Sequence, residues 1–140
     1  MFKYWAFISY SHTDKRWAKW LHRRLESYRL PAKLVRHAGA EEPLPRRISP
    51  IFRDQDELPT SSDLGEAITR ALESSRHLIV ICSPRSAKSH WVNEEILTFK
   101  RIGRADRIHL FIVEGEPKAS EIPDTMRARE KIQSTTPCCV

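Results

Sequence analysis

The chain has 140 residues, 40% of them hydrophobic and 30% charged, and a formal net charge of +6. That is the size and composition of one soluble globular domain, large enough for a sheet with a helix layer on each face; it excludes a second folded domain, a disordered chain and a bilayer span. Met1 and Phe2 lead directly into KYWAFISY instead of an apolar signal core, so a cytoplasmic location is expected.

The first element is YWAFISY at 4–10, apolar on both alternating faces, the pattern of a central strand covered by helices on both sides. After the polar turn SHTD, residues 14–28 place Trp17, Leu21, Leu25 and Tyr28 at helical spacing. Trp20 widens that stripe, and Thr13 or Asp14 stands where a cap belongs, so an amphipathic helix with these aromatics on its core face is expected. Residues 29–47 contain three prolines and no sustained period, which predicts a long connection with at most a short helical piece. ISPIFRD at 48–54 reads as a short strand, and Pro50 puts it at a sheet edge because proline donates no ladder hydrogen bond.

The acidic stretch RDQDELPTSSD leads into a helix with Leu64, Ala67, Ile68, Ala71 and Leu72 on one side, capped by Ser61, Ser62 or Asp63. HLIVIC at 77–82 is a buried parallel strand. SPRSAKSHW interrupts it, and a helix follows to about Ile102 with Gly103 as its C-cap. RIHLFIV at 107–113 is a fourth strand, ended by Gly115 and Pro117, and the remaining residues carry little apolar material. Alternating strands and helices wind into a parallel sheet by right-handed crossovers. The domain is therefore expected over 2–117, with 118–140 a polar tail.

Several chemistries find no residues here. The four glycines, at 39, 65, 103 and 115, form neither a dinucleotide fingerprint nor a phosphate loop. The six histidines contain no zinc-hydrolase pair, the three cysteines no CxxC, and no metal site is expected. PCCV at the end has Pro137 where a prenylated cysteine would stand. Ser83 lies in CSP and not in a nucleophile elbow. Between Lys15 and Arg36 eight Lys or Arg face the single acid Glu26, whereas Asp54 to Glu66 holds five acids and no base. Without an aromatic-interleaved RNA motif or a finger, the basic stretch reads as a solvated face, and no nucleic-acid partner is expected.

A doubly wound sheet puts its ligand outside the carboxyl ends of the strands, where the winding reverses. With strand one central, that crevice is lined by Tyr10, Ser11, His12, Ser83 and Pro84, overhung by 53–62, and reached by the helix that carries SHWVNEEI at 89–96. On that helix Val92, Ile96 and Phe99 define the buried direction; Glu95 points about 65° from it and Glu94 about 165°. Glu94 should face water. Glu95 stands on the shoulder of the buried face, one turn from Trp91, so carboxylate and indole can border one pocket. A carboxylate so placed either pairs with a nearby base as a surface group or is used chemically.

FISYSH at 7–12, FRDQDELPTSSDLGEAI at 52–68, LIVICSP at 78–84, SHWVNEEI and FIVEGEP at 111–117 together resemble, in this order, a Toll/interleukin-1 receptor homology (TIR) domain of the bacterial branch. The resemblance implies a flavodoxin-like sheet of order 2-1-3-4-5, here reduced to 2-1-3-4 because a fifth strand is missing or truncated. It implies a BB loop at about Arg53 to Ser62 that includes Leu58. It also implies one of two activities: cleavage of NAD+ to nicotinamide and ADP-ribose or a cyclic isomer, in signalling or defence, or non-catalytic assembly with other TIR domains. In the enzymatic members the catalytic glutamate follows a helix tryptophan by four residues, which maps onto Glu95 after Trp91. Tyr10, Ser11, His12, Arg53, Leu58, Ser83 and Trp91 then fall in the substrate-binding region, with NAD+ as substrate and no separate cofactor. Self-association through the BB loop and an exposed fourth-strand edge is the further expectation.

Overall fold

The computed structural model describes residues 2–37, 44–53 and 64–115. Its centre is a parallel sheet of order β2-β1-β3-β4, formed by β1 (Tyr4–Ser9), β2 (Ile51–Arg53), β3 (Ser75–Cys82) and β4 (Ile108–Ile112). The helices are α1 (Lys15–Ser27), α2 (Ala32–His37), α3 (Leu64–Glu73), α4 (Pro84–Ala87) and α5 (His90–Arg101). β1 is central as its two-sided apolarity requires, with Ile8 in register with Arg53 of β2 and Ile79 of β3. β2 is an edge strand, shorter than expected because the residues before it do not extend the ladder. Pro50 still contributes as an acceptor, its carbonyl taking a 2.9 Å bond from the Trp5 N–H.

Strand alternation divides the core in two. Phe7, Phe52, Leu78 and Val80 meet Leu72 of α3 and Val92, Ile96 and Phe99 of α5 on one face. Ala6, Ile8, Ile51 and Ile81 meet Ala18 and Leu21 of α1 on the other. Each fully buried large side chain, such as Phe99, contributes about 1.5–3 kcal/mol relative to exposure. Ser89 caps α5, accepting from the Val92 N–H at 3.4 Å. At the other end of this helix the chain turns through Gly103 at a φ of +80°, a conformation in which a Cβ is unfavourable.

Two expectations change. α1 docks through Ala18 and Leu21, so Trp17, Trp20 and Tyr28 are not core but 43%, 45% and 52% exposed. Ala18 is the closer-packing residue, and the small side chain lets the helix approach the sheet while the indoles beside it fall on the rim. SPRSAKSHW is also not a plain break: Ser83 opens the one-turn helix α4 with a capping box, Pro84 fits its first turn, and Ser89 then starts α5 anew. Among the described residues β4 is the second sheet edge, with Leu110 and Ile112 exposed. The fifth-strand region, the expected caps of α3 and all of the BB loop after Arg53 lie outside the described residues.

Candidate active site

The chain leaves β1 by α1 to reach β2 on one side, and leaves β3 by α5 to reach β4 on the other, so the winding reverses between the carboxyl ends of β1 and β3. Ser9 is the last residue of β1. It shares the parity of Phe7 and therefore points to the face covered by α3 and α5, where its hydroxyl donates a short hydrogen bond to Glu95 Oε2. Ser9 is wholly buried and Glu95 is 3% exposed. Glu94, next in sequence, is only partly buried. Glu95 thus sits deeper than a helix shoulder alone implies, because the end of β1 meets α5 there and supplies a polar partner.

A second polar cluster closes the neighbouring wall. Asp14, fully buried at the start of α1, accepts from Ser83 Oγ at 2.5 Å and from Arg85 Nη2 at 3.0 Å. Arg85 also donates to Glu114, just beyond β4, at 2.7 Å. Its hydrogen bond to Asp14, and then that to Glu114, hold the guanidinium pKa above its ordinary value, so the cation is permanent. Three loops at the carboxyl ends of β1, β3 and β4 are tied together by this one arginine.

Ser83, expected to face ligand, is buried and occupied: besides bonding Asp14 it accepts from the Ser86 N–H at 3.1 Å as the cap of α4. Tyr10, one residue after Ser9, points to the opposite face and is 3% exposed in the α1-side core. Alternation therefore separates Tyr10 from Glu95, and its ring is packed instead of presented for stacking. Ser11 is partly exposed, its hydroxyl 3.2 Å from that of Thr13, and His12 is exposed. Arg53 ends β2 partly buried beside Ile8, and Leu58 lies outside the described residues. Trp91 is 58% exposed on the first turn of α5, its ring 6.1 Å from that of His90, and Glu95 lies one turn deeper. Ser9, Asp14 and Arg85 are the polar residues that sequence reasoning passed over. The signal for Ser9 was present, a lone hydroxyl closing an otherwise apolar buried strand. Nothing in the sequence pairs Asp14 with Arg85 across 71 positions.

Among the described residues no three His, Cys, Asp or Glu side chains group as a metal site, and no helix is long and apolar enough to cross a membrane. The family model described as the TIR domain matches residues 6–136 and so runs past residue 117 into the segment read as a tail. The bacterial NAD(+) hydrolase ApTIR of Actinoplanes sp. is 36% identical over 115 residues, which are 81% of this chain but 14% of that protein. The TIR domains of the activated Roq1 resistosome, solved recognising the pathogen effector XopQ, match with a TM-score of 0.50 at 21% identity, covering 91% of this chain and 64% of theirs. That likeness shows the same fold. With the 2-1-3-4 parallel sheet and a family match over nearly its whole length, the chain belongs to the TIR-domain family.

Proposed function

We propose that this TIR domain cleaves the N-glycosidic bond of NAD+, with Glu95 as the essential carboxylate. The observation that carries the reading is the buried Glu95, hydrogen-bonded by Ser9 at the switch point of the sheet. The 36% identity to an NAD(+) hydrolase supports it. A carboxylate withdrawn from water opposes positive charge far more effectively than an exposed one. In NAD+ the nicotinamide is already a cation, so its departure needs no general acid. The C1′–N bond breaks with its electron pair going to the ring nitrogen, and the ribose develops oxocarbenium character that Glu95 offsets. Water then bonds to C1′ and releases a proton to solvent, giving ADP-ribose. Ser9 fixes the carboxylate; exposed Trp91 offers a stacking surface at the mouth. Signalling or defence is the setting in which such depletion of NAD+ acts, and assembly with other TIR domains through the 53–62 loop is the route by which the site would be completed.

The test is nicotinamide release from NAD+ by concentrated protein, compared with Glu95→Ala and Glu94→Ala. Release that depends on Glu95 and not on Glu94 is the expected result. If wild type releases none even when concentrated, or if both variants match it, the reading fails and the chain is a non-catalytic assembly module.

A further inference from the structure

The outward side of α1 is an open groove of about 550 Å³ lined by Arg16, Lys19, Trp20, Arg23, Arg24 and Ser27. Among the described residues no carboxylate lines it. The one acid of this segment, Glu26, is turned toward the sheet, where it accepts from the Ile51 N–H at 3.0 Å and lies 3.5 Å from His22. Two further shallow depressions adjoin it through shared residues, one lined by Arg24, Tyr28 and Arg29 and one by Arg29, Arg46 and Arg47, with an antiparallel bridge between Arg29 and Arg47. From Arg16 to Ser27 the groove is about 17 Å long at 1.5 Å per helical residue. Aromatic surface is interleaved with this charge: Trp20 is 45% exposed with the Arg24 guanidinium 5.7 Å from its ring, and Tyr28 is 52% exposed. The expectation of no nucleic-acid partner rested on the lack of such interleaving, and the indoles were placed in the core; their exposure removes that ground.

We propose that this groove binds single-stranded nucleic acid. A row of cations tracks a phosphate backbone, and exposed rings stack on unpaired bases, which is the combination that sequence-tolerant single-strand binders use. A duplex would meet the cations but offers no unpaired base to Trp20 or Tyr28, and an anionic membrane surface offers none either. The proposal does not rest on NAD+ cleavage, since Glu95 lies on the other face of the sheet and oligonucleotide binding is read without NAD+.

The experiment is fluorescence anisotropy of labelled dT20 and rU20 oligonucleotides titrated with the full chain. Duplex of equal length, heparin and phosphatidylserine vesicles serve as competitors. Micromolar binding is expected, with a slope of log K against log salt near about −3 if four cations engage phosphates. Replacing Arg23 and Arg24 together by Glu should weaken it at least about tenfold. Trp20→Ala should weaken it roughly fivefold or more. Because Trp20 also stacks on Phe111 at 6.3 Å, Tyr28→Ala provides the same test at a side chain more than half exposed. No anisotropy change at low salt overturns the proposal. So does competition by heparin or vesicles as effective as by unlabelled oligonucleotide, with the aromatic variants unaffected, because the groove is then a general polyanion or lipid surface.

Discussion

Glu95→Gln is the substitution that separates a catalytic from a structural carboxylate. Glutamine preserves volume and keeps a carbonyl to accept from Ser9, so the packing at the end of β1 survives. With the volume and the Ser9 acceptor kept, a carboxylate whose role is catalytic leaves the melting temperature within about 3 °C of wild type. The effect on rate is of another order. An anion about 4 Å from a developing unit positive charge, at an effective dielectric of about 20 for a residue this buried, contributes about 4 kcal/mol. At 1.36 kcal/mol per decade, its loss slows cleavage by about a thousandfold. Glu94→Gln removes a charge at a partly exposed position, where solvent and salt screen it, and should stay within about twofold of wild type. The assay is nicotinamide release at saturating NAD+, with thermal unfolding of each variant in the same buffer. A Glu95→Gln protein that keeps more than about a tenth of wild-type rate refutes the electrostatic role. One that loses activity and melting temperature together shows that the carboxylate is structural.

Asp14→Ala strips Ser83 of its 2.5 Å acceptor and leaves Arg85 with Glu114 alone. A hydrogen bond to a buried charged group is worth about 2 kcal/mol, which lowers the melting temperature of a domain this size by about 7 °C, read by calorimetry. Trp91→Ala, at a 58% exposed position, should leave stability within about 0.5 kcal/mol while raising KM for NAD+ more than it lowers kcat. His77 is lowered to a pKa of about 4 by desolvation first, then by His109 at 3.1 Å and by Arg76 and Arg107. Its unfolded form therefore binds more protons, and stability is complete above the unfolded value of 6.5 and is lost as pH falls toward 4. With the ring only half-buried, the shift corresponds to a loss of about 1 kcal/mol after allowance for solvent screening. Urea unfolding at several pH values, compared with His77→Gln, should show that slope in wild type only. Because a cationic leaving group needs no proton donor, the pH profile of NAD+ cleavage should have an acid limb and no alkaline one up to about pH 9. A second limb would require a general acid.

The central place of β1, the edge position of β2 and the inward lean of Glu95 relative to Glu94 were legible because each follows from local pattern, whereas the full strand order was implied by the family resemblance and the depth of Glu95 by neither. YWAFISY is two-sided and so central, Pro50 bars its strand from the middle, and the phase of Val92, Ile96 and Phe99 orients α5. What escaped were pairings decided between elements. Trp17 and Trp20 satisfy the apolar stripe of α1 as well as Ala18 does, and only the closeness of helix to sheet selects the alanine as the contact. Tyr10 and Ser9 are adjacent, yet opposite strand faces send the serine to Glu95 and the tyrosine into the α1-side core. Periodicity orients a side chain about its own axis; it does not say which neighbour supplies the partner.

The two faces of the sheet nevertheless meet at one residue. Asp14 stands at the start of α1, whose outer side carries the basic groove, and it receives Ser83 and Arg85 from the turn that leads through α4 to α5 and Glu95. Any ligand on the groove that shifts the first turn of α1 must therefore either carry this turn with it or break bonds to a fully buried carboxylate, and the second course is the more expensive. These bonds are the direct side-chain link between the first turn of α1 and the turn that leads to α5. By linkage the coupling is reciprocal: if occupancy of the groove alters affinity at Glu95, occupancy at Glu95 alters affinity in the groove by the same factor. Asp14→Ala, which removes the acceptor of the Ser83 and Arg85 bonds, should abolish any such coupling, and a change in NAD+ affinity on adding oligonucleotide that persists in this variant refutes the route.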